Sequence, residues 1–118
     1  MIRKTRFIIL IFIFLSILIA GCSSGPSIKE LQLSAQDIQW DQTEINANAG
    51  QEITLTITND GTLDHNFNLE EYGIGVEIPP GDSQVVTFLA DETGSFEYYC
   101  DIPGHLDAGM VGILTINP

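Results

Sequence analysis

Apolar and polar residues alternate most cleanly over Gln51–Thr58, where Ile53, Leu55 and Ile57 share one face and Thr54, Thr56 and Thr58 the other. That period of two predicts a strand with one buried face. The same period at Leu31, Leu33 and Ala35 predicts a first strand over Leu31–Ile38, with Trp40 closing the core beyond it. Thr43–Ala49 reads as a short strand ended by Gly50, and Asp64–Leu69 as one whose His65, Phe67 and Leu69 share a face. Val76–Ile78 runs into the turn Pro79-Pro80-Gly81-Asp82, and Tyr72–Gly75 before it reads as loop. Ser83–Ala90, Ser95–Cys100 and Val111–Ile116 complete the set. Asn59-Asp60-Gly61-Thr62 and Asp91-Glu92-Thr93-Gly94 are turns, because Asn, Asp and Gly tolerate positive φ. About eight short strands at this spacing, with no helix beyond a loop turn, predict an all-β Greek-key sandwich or barrel.

The N-terminus follows a different pattern. Arg3, Lys4 and Arg6 precede fourteen residues, Phe7–Ala20, that are almost wholly apolar. That is short for a membrane span, which needs about 20 residues, and suits the apolar core of a signal peptide. Ile19-Ala20-Gly21-Cys22 resembles the lipobox of bacterial lipoproteins. The resemblance implies a signal peptide over 1–21, a lipidated Cys22 heading a short tether over 22–29, and a domain over 30–118. The chain would then sit outside the cytoplasm of a bacterium or archaeon, anchored to a membrane by that lipid. An uncleaved membrane anchor and a Cys22–Cys100 disulfide are the competing uses of the same residues. Roughly 95 residues remain for the domain, enough to bury about two-thirds of the unfolded surface.

Charge narrows the partners. Beyond the N-terminal segment Lys29 stands alone against sixteen acids, a formal charge of −15. Nucleic acid and anionic substrates are excluded as natural partners, whereas a basic protein would be steered in at low salt. The same acidity also serves solubility or a saline habitat.

The chemistry concentrates in Cys100-Asp101-Ile102-Pro103-Gly104-His105-Leu106-Asp107-Ala108-Gly109-Met110. His105 follows Cys100 by five residues, Met110 follows His105 by five, and His65 lies far upstream. Taken singly, a strand cysteine is a small hydrophobe, a lone histidine a hydrogen-bonded structural residue and a lone methionine core filler. Together they use both histidines, the cysteine outside the lipobox and the methionine other than Met1. Two His and a Cys with a weak axial Met form the ligand set of a blue-copper site. Structural zinc has little use for a thioether. A Cys100–His105 nucleophile lacks a convincing orienting carboxylate and oxyanion hole, although Asp101 and Asp107 lie near in the chain. No spacing singles out a carboxylate pair for hydrolysis. Asn66 and the backbone amides after Cys100 are candidates to orient the ligands.

With those residues in place, the chain is identified as resembling the cupredoxins, in a lipoprotein form. The resemblance is strongest over Tyr99–Gly112 and at His65-Asn66. It implies that His65, Cys100 and His105 are equatorial ligands, that Met110 is axial, and that Asn66 braces the cysteine loop. It implies one copper ion, since the family's binuclear sites need a second cysteine in that loop. It also implies an electron port at His105, with Ile102, Pro103, Gly104, Leu106 and Ala108 as an apolar docking rim. The expected function is non-enzymatic: a blue-copper carrier moving single electrons to or from a redox partner, such as a basic cytochrome or a membrane oxidase. A module for copper delivery or storage, and an accessory electron-transfer subunit of an oxidase or reductase, are the alternatives. Nothing in the chain argues against a monomer.

Overall fold

The computed structural model describes residues 21, 22 and 24–118; the apolar run at 7–20 and residue 23, parts of the expected signal peptide and tether, lie outside them. Nine strands follow among the described residues: β1 (Ile28–Gln36), β2 (Gln39–Trp40), β3 (Glu44–Asn48), β4 (Glu52–Asn59), β5 (His65–Leu69), β6 (Ile74–Ile78), β7 (Ser83–Leu89), β8 (Gly94–Tyr99) and β9 (Val111–Asn117). One sheet has the order β2-β1-β4-β7 and the other β3-β9-β8-β5-β6. The β1–β4 and β3–β9 pairs are parallel and the remaining pairs antiparallel. The fold is an all-β sandwich.

The alternation in β4 does what its pattern predicts. Ile53, Leu55 and Ile57 are buried, while the threonines between them are half-buried. Across the core they meet Phe67, Tyr98, Leu114 and Ile116 from the other sheet. Trp40 closes this layer, packing edge-on against Phe67 and Tyr98 with ring centres 5.9 and 6.0 Å away.

Two expectations need correction. Tyr72–Gly75 is not all loop: a single 3-10 turn, Glu70–Tyr72, ends at Gly73 and β6 already begins at Ile74. Gly73, at φ +63°, reverses the chain so tightly that β6 can pair with β5 at once, Leu69 opposite Ile74. The strand predicted over Leu31–Ile38 starts earlier, at Ile28, and stops at Gln36, where the chain turns at Asp37-Ile38 into the two-residue β2.

The two ends of the sandwich differ. β1 begins beside Glu52, and β9 finishes at Asn117, whose carbonyl accepts from the Ala49 N–H at 2.7 Å; Gly50 N–H in turn bonds Ala90 O. The described chain thus enters and leaves the sandwich at the same end. The opposite end carries the Asp37-Ile38 turn, the loop before His65, and the Cys100–Met110 loop between β8 and β9.

Gly112 is a close-packing point. A Cβ there would overlap the Tyr98 ring. Tyr98 cannot step aside, being 1 % exposed with its hydroxyl donating to Gln42 O at 2.7 Å. Gly112→Ala is therefore expected to destabilise the domain by about 1–3 kcal/mol in chemical denaturation. An unchanged midpoint would mean that the ring has room to move.

Candidate metal centre

The Cys100–Met110 loop is built to hold its own shape. His105 N–H bonds Ile102 O at 2.9 Å, Ala108 N–H bonds Gly104 O at 3.1 Å, and Gly109 N–H bonds Leu106 O at 2.9 Å. Gly104 and Gly109 take φ of +87° and +93°, a region that other residues enter only at a cost. The Met110 N–H donates to His105 O at 3.1 Å, and Met110 O accepts from the Cys100 N–H at 3.1 Å. Five-residue spacings thereby fold back into a closed unit.

His65 reaches this unit from β5. Its Nδ1 lies 3.8 Å from Cys100 Sγ, and His105 Nδ1 lies 3.5 Å from the same sulfur. The three donor atoms are all within 4.8 Å of one another. Among the described residues no other group of three or more His, Cys, Asp or Glu donors gathers this closely. His65, Cys100 and Met110 are fully buried, and His105 keeps 7 % of its surface exposed. Both cysteines are free; Cys22 is exposed and Cys100 buried, so no disulfide joins them.

The donor set fits a soft first-row metal. Bonds of about 2.0 Å to imidazole and about 2.3 Å to thiolate, opened to a trigonal angle, set nitrogen and sulfur roughly 3.7 Å apart. The observed 3.5 and 3.8 Å bracket that span. His65 is suited to ligation in a second respect. Burial pulls its pKa below the usual histidine range and the nearby His105 adds to this, against weaker opposing pulls from the Gln36 carbonyl, Asp37 and Asp64. A neutral ring with its Nδ1 lone pair free is the form a metal needs.

Hydrogen bonds brace the sulfur. The Asn66 N–H donates to Cys100 Sγ at 3.5 Å, and the Asn66 side chain bonds Asp101. On the other side of His65, the Asp37 carboxylate accepts from the Thr62 N–H at 2.7 Å and from its hydroxyl, and more weakly from the Leu63 N–H. Gly61 lies so close to Asp37 that a Cβ there would collide with it. Asn59, fully buried, donates to Leu63 O and Ile78 O at 2.8 and 2.7 Å and accepts from the Gly61 N–H. The loop leading to His65 is thus pinned at two points of one sheet, the β1–β2 turn and the end of β4.

Of the expected rim, Pro103, Gly104, Leu106 and Ala108 are exposed, while Ile102 is half-buried against the core. Ile38 and Leu63 are two further exposed apolar side chains at this end, which the sequence reading passes over. Ile38 holds φ +62°, the one positive value outside glycine among the described residues. Their signal in the sequence is faint: a large aliphatic residue inside an otherwise polar turn.

Comparison with known proteins agrees with this geometry. A family model described as a cupredoxin-like domain matches residues 7–115. Nitrous-oxide reductase of Stutzerimonas stutzeri is 35% identical over 79 residues, covering 64% of this chain and 12% of that enzyme, so the chain spans only a small part of its length. Auracyanin-A of Chloroflexus aurantiacus is 26% identical over 125 residues, covering 80% of this chain and 76% of that protein. The solved structure of auracyanin A, a "blue" copper protein, overlays with a TM-score of 0.66 at 21% identity, covering 77% of this chain and 100% of that one. Reduced auracyanin from Roseiflexus castenholzii gives 0.68 at 21%, covering 78% and 99%. At such identities the overlays speak for the fold.

The Asp37 clamp generates a pH prediction. Backbone and side-chain hydrogen bonds from Thr62 hold the Asp37 pKa below its ordinary 3.8. A carboxylate lowered on folding stabilises the protein above the unfolded value, and that contribution fades as pH falls through the folded one. Asp37→Asn should lower the denaturation midpoint at pH 7 and flatten the stability loss below pH 3.8 relative to the parent. Parallel acid limbs in the two proteins would show that the clamp contributes nothing.

Proposed function

The chain belongs to the cupredoxin-like domain family, and from that premise we propose that it is a mononuclear blue-copper electron carrier outside the cytoplasm. The observation that carries the reading is the buried meeting of His65, Cys100 and His105 within 4.8 Å. In this reading those three, with Met110 beside them, would hold the copper ion. Copper, when bound, supplies a one-electron couple that needs no proton or substrate bond.

The chain's own residues do the rest. Cys100 binds as thiolate, and its sulfur accepts one backbone N–H, from Asn66, which tempers its electron density. The self-bonded loop fixes Cys100, His105 and Met110 relative to one another, so neither oxidation state can rearrange them freely. His105, unlike His65, reaches the surface, and this makes its ring the port for electrons. Pro103, Leu106 and Ala108, joined by Ile38 and Leu63, surround that port with apolar surface for a redox partner. Acidic groups throughout the chain favour a basic partner at low salt. Residues 1–21 direct export, and Cys22 carries a lipid. The tether expected over 22–29, whose last two residues begin β1, then holds the domain by the end remote from the metal, turning His105 away from the membrane.

The soluble fragment from Ser23 onward should turn intensely blue with copper(II) and show reversible one-electron voltammetry. Cys100→Ser should abolish the colour, whereas Met110→Leu should keep it and shift the reduction potential. A pale complex would refute thiolate ligation, an unmoved potential in Met110→Leu would remove Met110 from the site, and irreversible voltammetry would favour copper delivery or storage. Intact mass of the membrane-bound protein should show a diacylglyceryl adduct on Cys22, lost in Cys22→Ser; an unmodified Cys22 would refute the anchor.

A further inference from the structure

Large apolar side chains are exposed in two places, and the metal loop accounts for one of them. Among the described residues Ile38, Leu63 and Leu106 are exposed at the metal end. Ile28, Val85 and Leu89, at 65, 61 and 47 % exposure, lie instead on the outer face of the β2-β1-β4-β7 sheet. Ile28 pairs with Glu52 and Glu52 with Leu89, so two of them share one row across that sheet. Val85 and Leu89 belong to β7, which is its free edge.

A free edge offers its backbone to any strand that meets it, and edges are ordinarily blunted by charge, shortness or cover. The other three edges of this sandwich are blunted in those ways. β2 has two residues, β6 carries Glu77, and β3 carries Glu44 and has its Asn46 carbonyl taken by Lys29 Nζ. β7 runs seven residues with no charge and no proline, and its register against β4 has no bulge. Two bonds fix the phase of that ladder, Asn59 N–H to Asp82 O and Ala90 N–H to Gln51 O. Val86 and Phe88 therefore bond β4, while the N–H and C=O groups of Val85 and Thr87 point out from the edge.

We propose that β7 is a self-association edge, to which a second copy of this chain adds its own β7 antiparallel. Centring the two-fold axis on Thr87 sets Val85 opposite Leu89 of the second copy, so the exposed apolar side chains cover one another. Four backbone hydrogen bonds form in this register without calling on Leu89 O, which already accepts from Asp91 N–H at 2.9 Å. Charge selects the occupant. Lys29 stands alone against sixteen acids, so a basic partner is drawn to those acids rather than to an uncharged strand. Another acidic copy is tolerated only at an edge without acids, and β7 is that edge. Asp82 of one copy still approaches Glu92 of the other at both ends of the pair, which keeps the contact weak and lets salt strengthen it. The pair closes on itself, because the two-residue β2 forms its outer edges. Tethers of about 20 Å reach both copies when the pair lies along the membrane. The monomer expected from the sequence is then the dilute form, and none of this depends on the copper reading.

The test uses the lipid-free fragment from Ser23 onward, which holds all nine strands. In sedimentation its mass should climb from monomer towards dimer, and no further, between about 10 μM and 1 mM, as suits a small interface. Added salt should move that rise to lower concentration. Hydrogen exchange at the Val85 and Thr87 N–H groups should slow as concentration rises, while Val86 and Phe88, already bonded to β4, stay unchanged. Thr87→Pro removes an edge-facing N–H without touching the β4 ladder and should raise the dissociation constant about tenfold or more. Val85→Glu, which puts a charge on the edge, should do the same and decides the matter if the proline variant does not fold. A monomer at every concentration and salt would overturn the proposal, as would association that both variants leave intact. Assembly beyond the dimer would rule out the closed pair. Flotation of the fragment with phosphatidylcholine vesicles, in place of self-association, would assign the face to the bilayer and also overturn it.

Discussion

Joining β5 to the far end of β8 is the constraint on which the site depends. His65 is thirty-five residues from Cys100, and no local turn can bring them together. The two strands pair in register at one point, Asn68 opposite Tyr99, so the ladder alone does not hold their far ends together. Asparagine side chains resolve this, giving bonds that span the gap while the strands diverge. The loop's internal hydrogen bonds then bring His105 and Met110 to the same place as the cysteine.

That arrangement works against solvation. Two imidazoles and a thiol lie in or against the apolar core, where charge is disfavoured and unpaired polar atoms cost free energy. The same burial lowers the His65 pKa below the ordinary histidine range. Strain gathers at this end too: Ile38, a β-branched residue, sits in the left-handed region at a cost of about 1–3 kcal/mol. The Asp37 and Asn59 hydrogen bonds nearby offset that cost by tying the turn and the His65 loop together. Stability is drawn from the rest of the sandwich to hold a geometry that folding alone would not favour.

The sequence makes the frame legible because its signals are local. β4 announces itself by strict alternation, and Cys100, His105 and Met110 by the rarity of their types at regular spacing. Only the start of β6 is hidden, because Gly73 and Gly75 on either side of Ile74 read as turn residues. β2 is too short for any period to register. The bonds that Asp37 and Asp101 make escape notice for another reason. Each residue is one of sixteen acids in a chain where acidity is general, and only the fold distinguishes a carboxylate that clamps a loop from one that faces water. Asn66 is readable beside His65, but the partner that fixes its amide is not.

Both ends of the described chain leave the sandwich at the pole opposite the metal loop. A polypeptide can therefore be joined at either side, or the whole unit inserted into a longer one, without a covalent join crossing the loop end. Changes at the attachment pole then leave the His65, Cys100 and His105 cluster at the other pole in place.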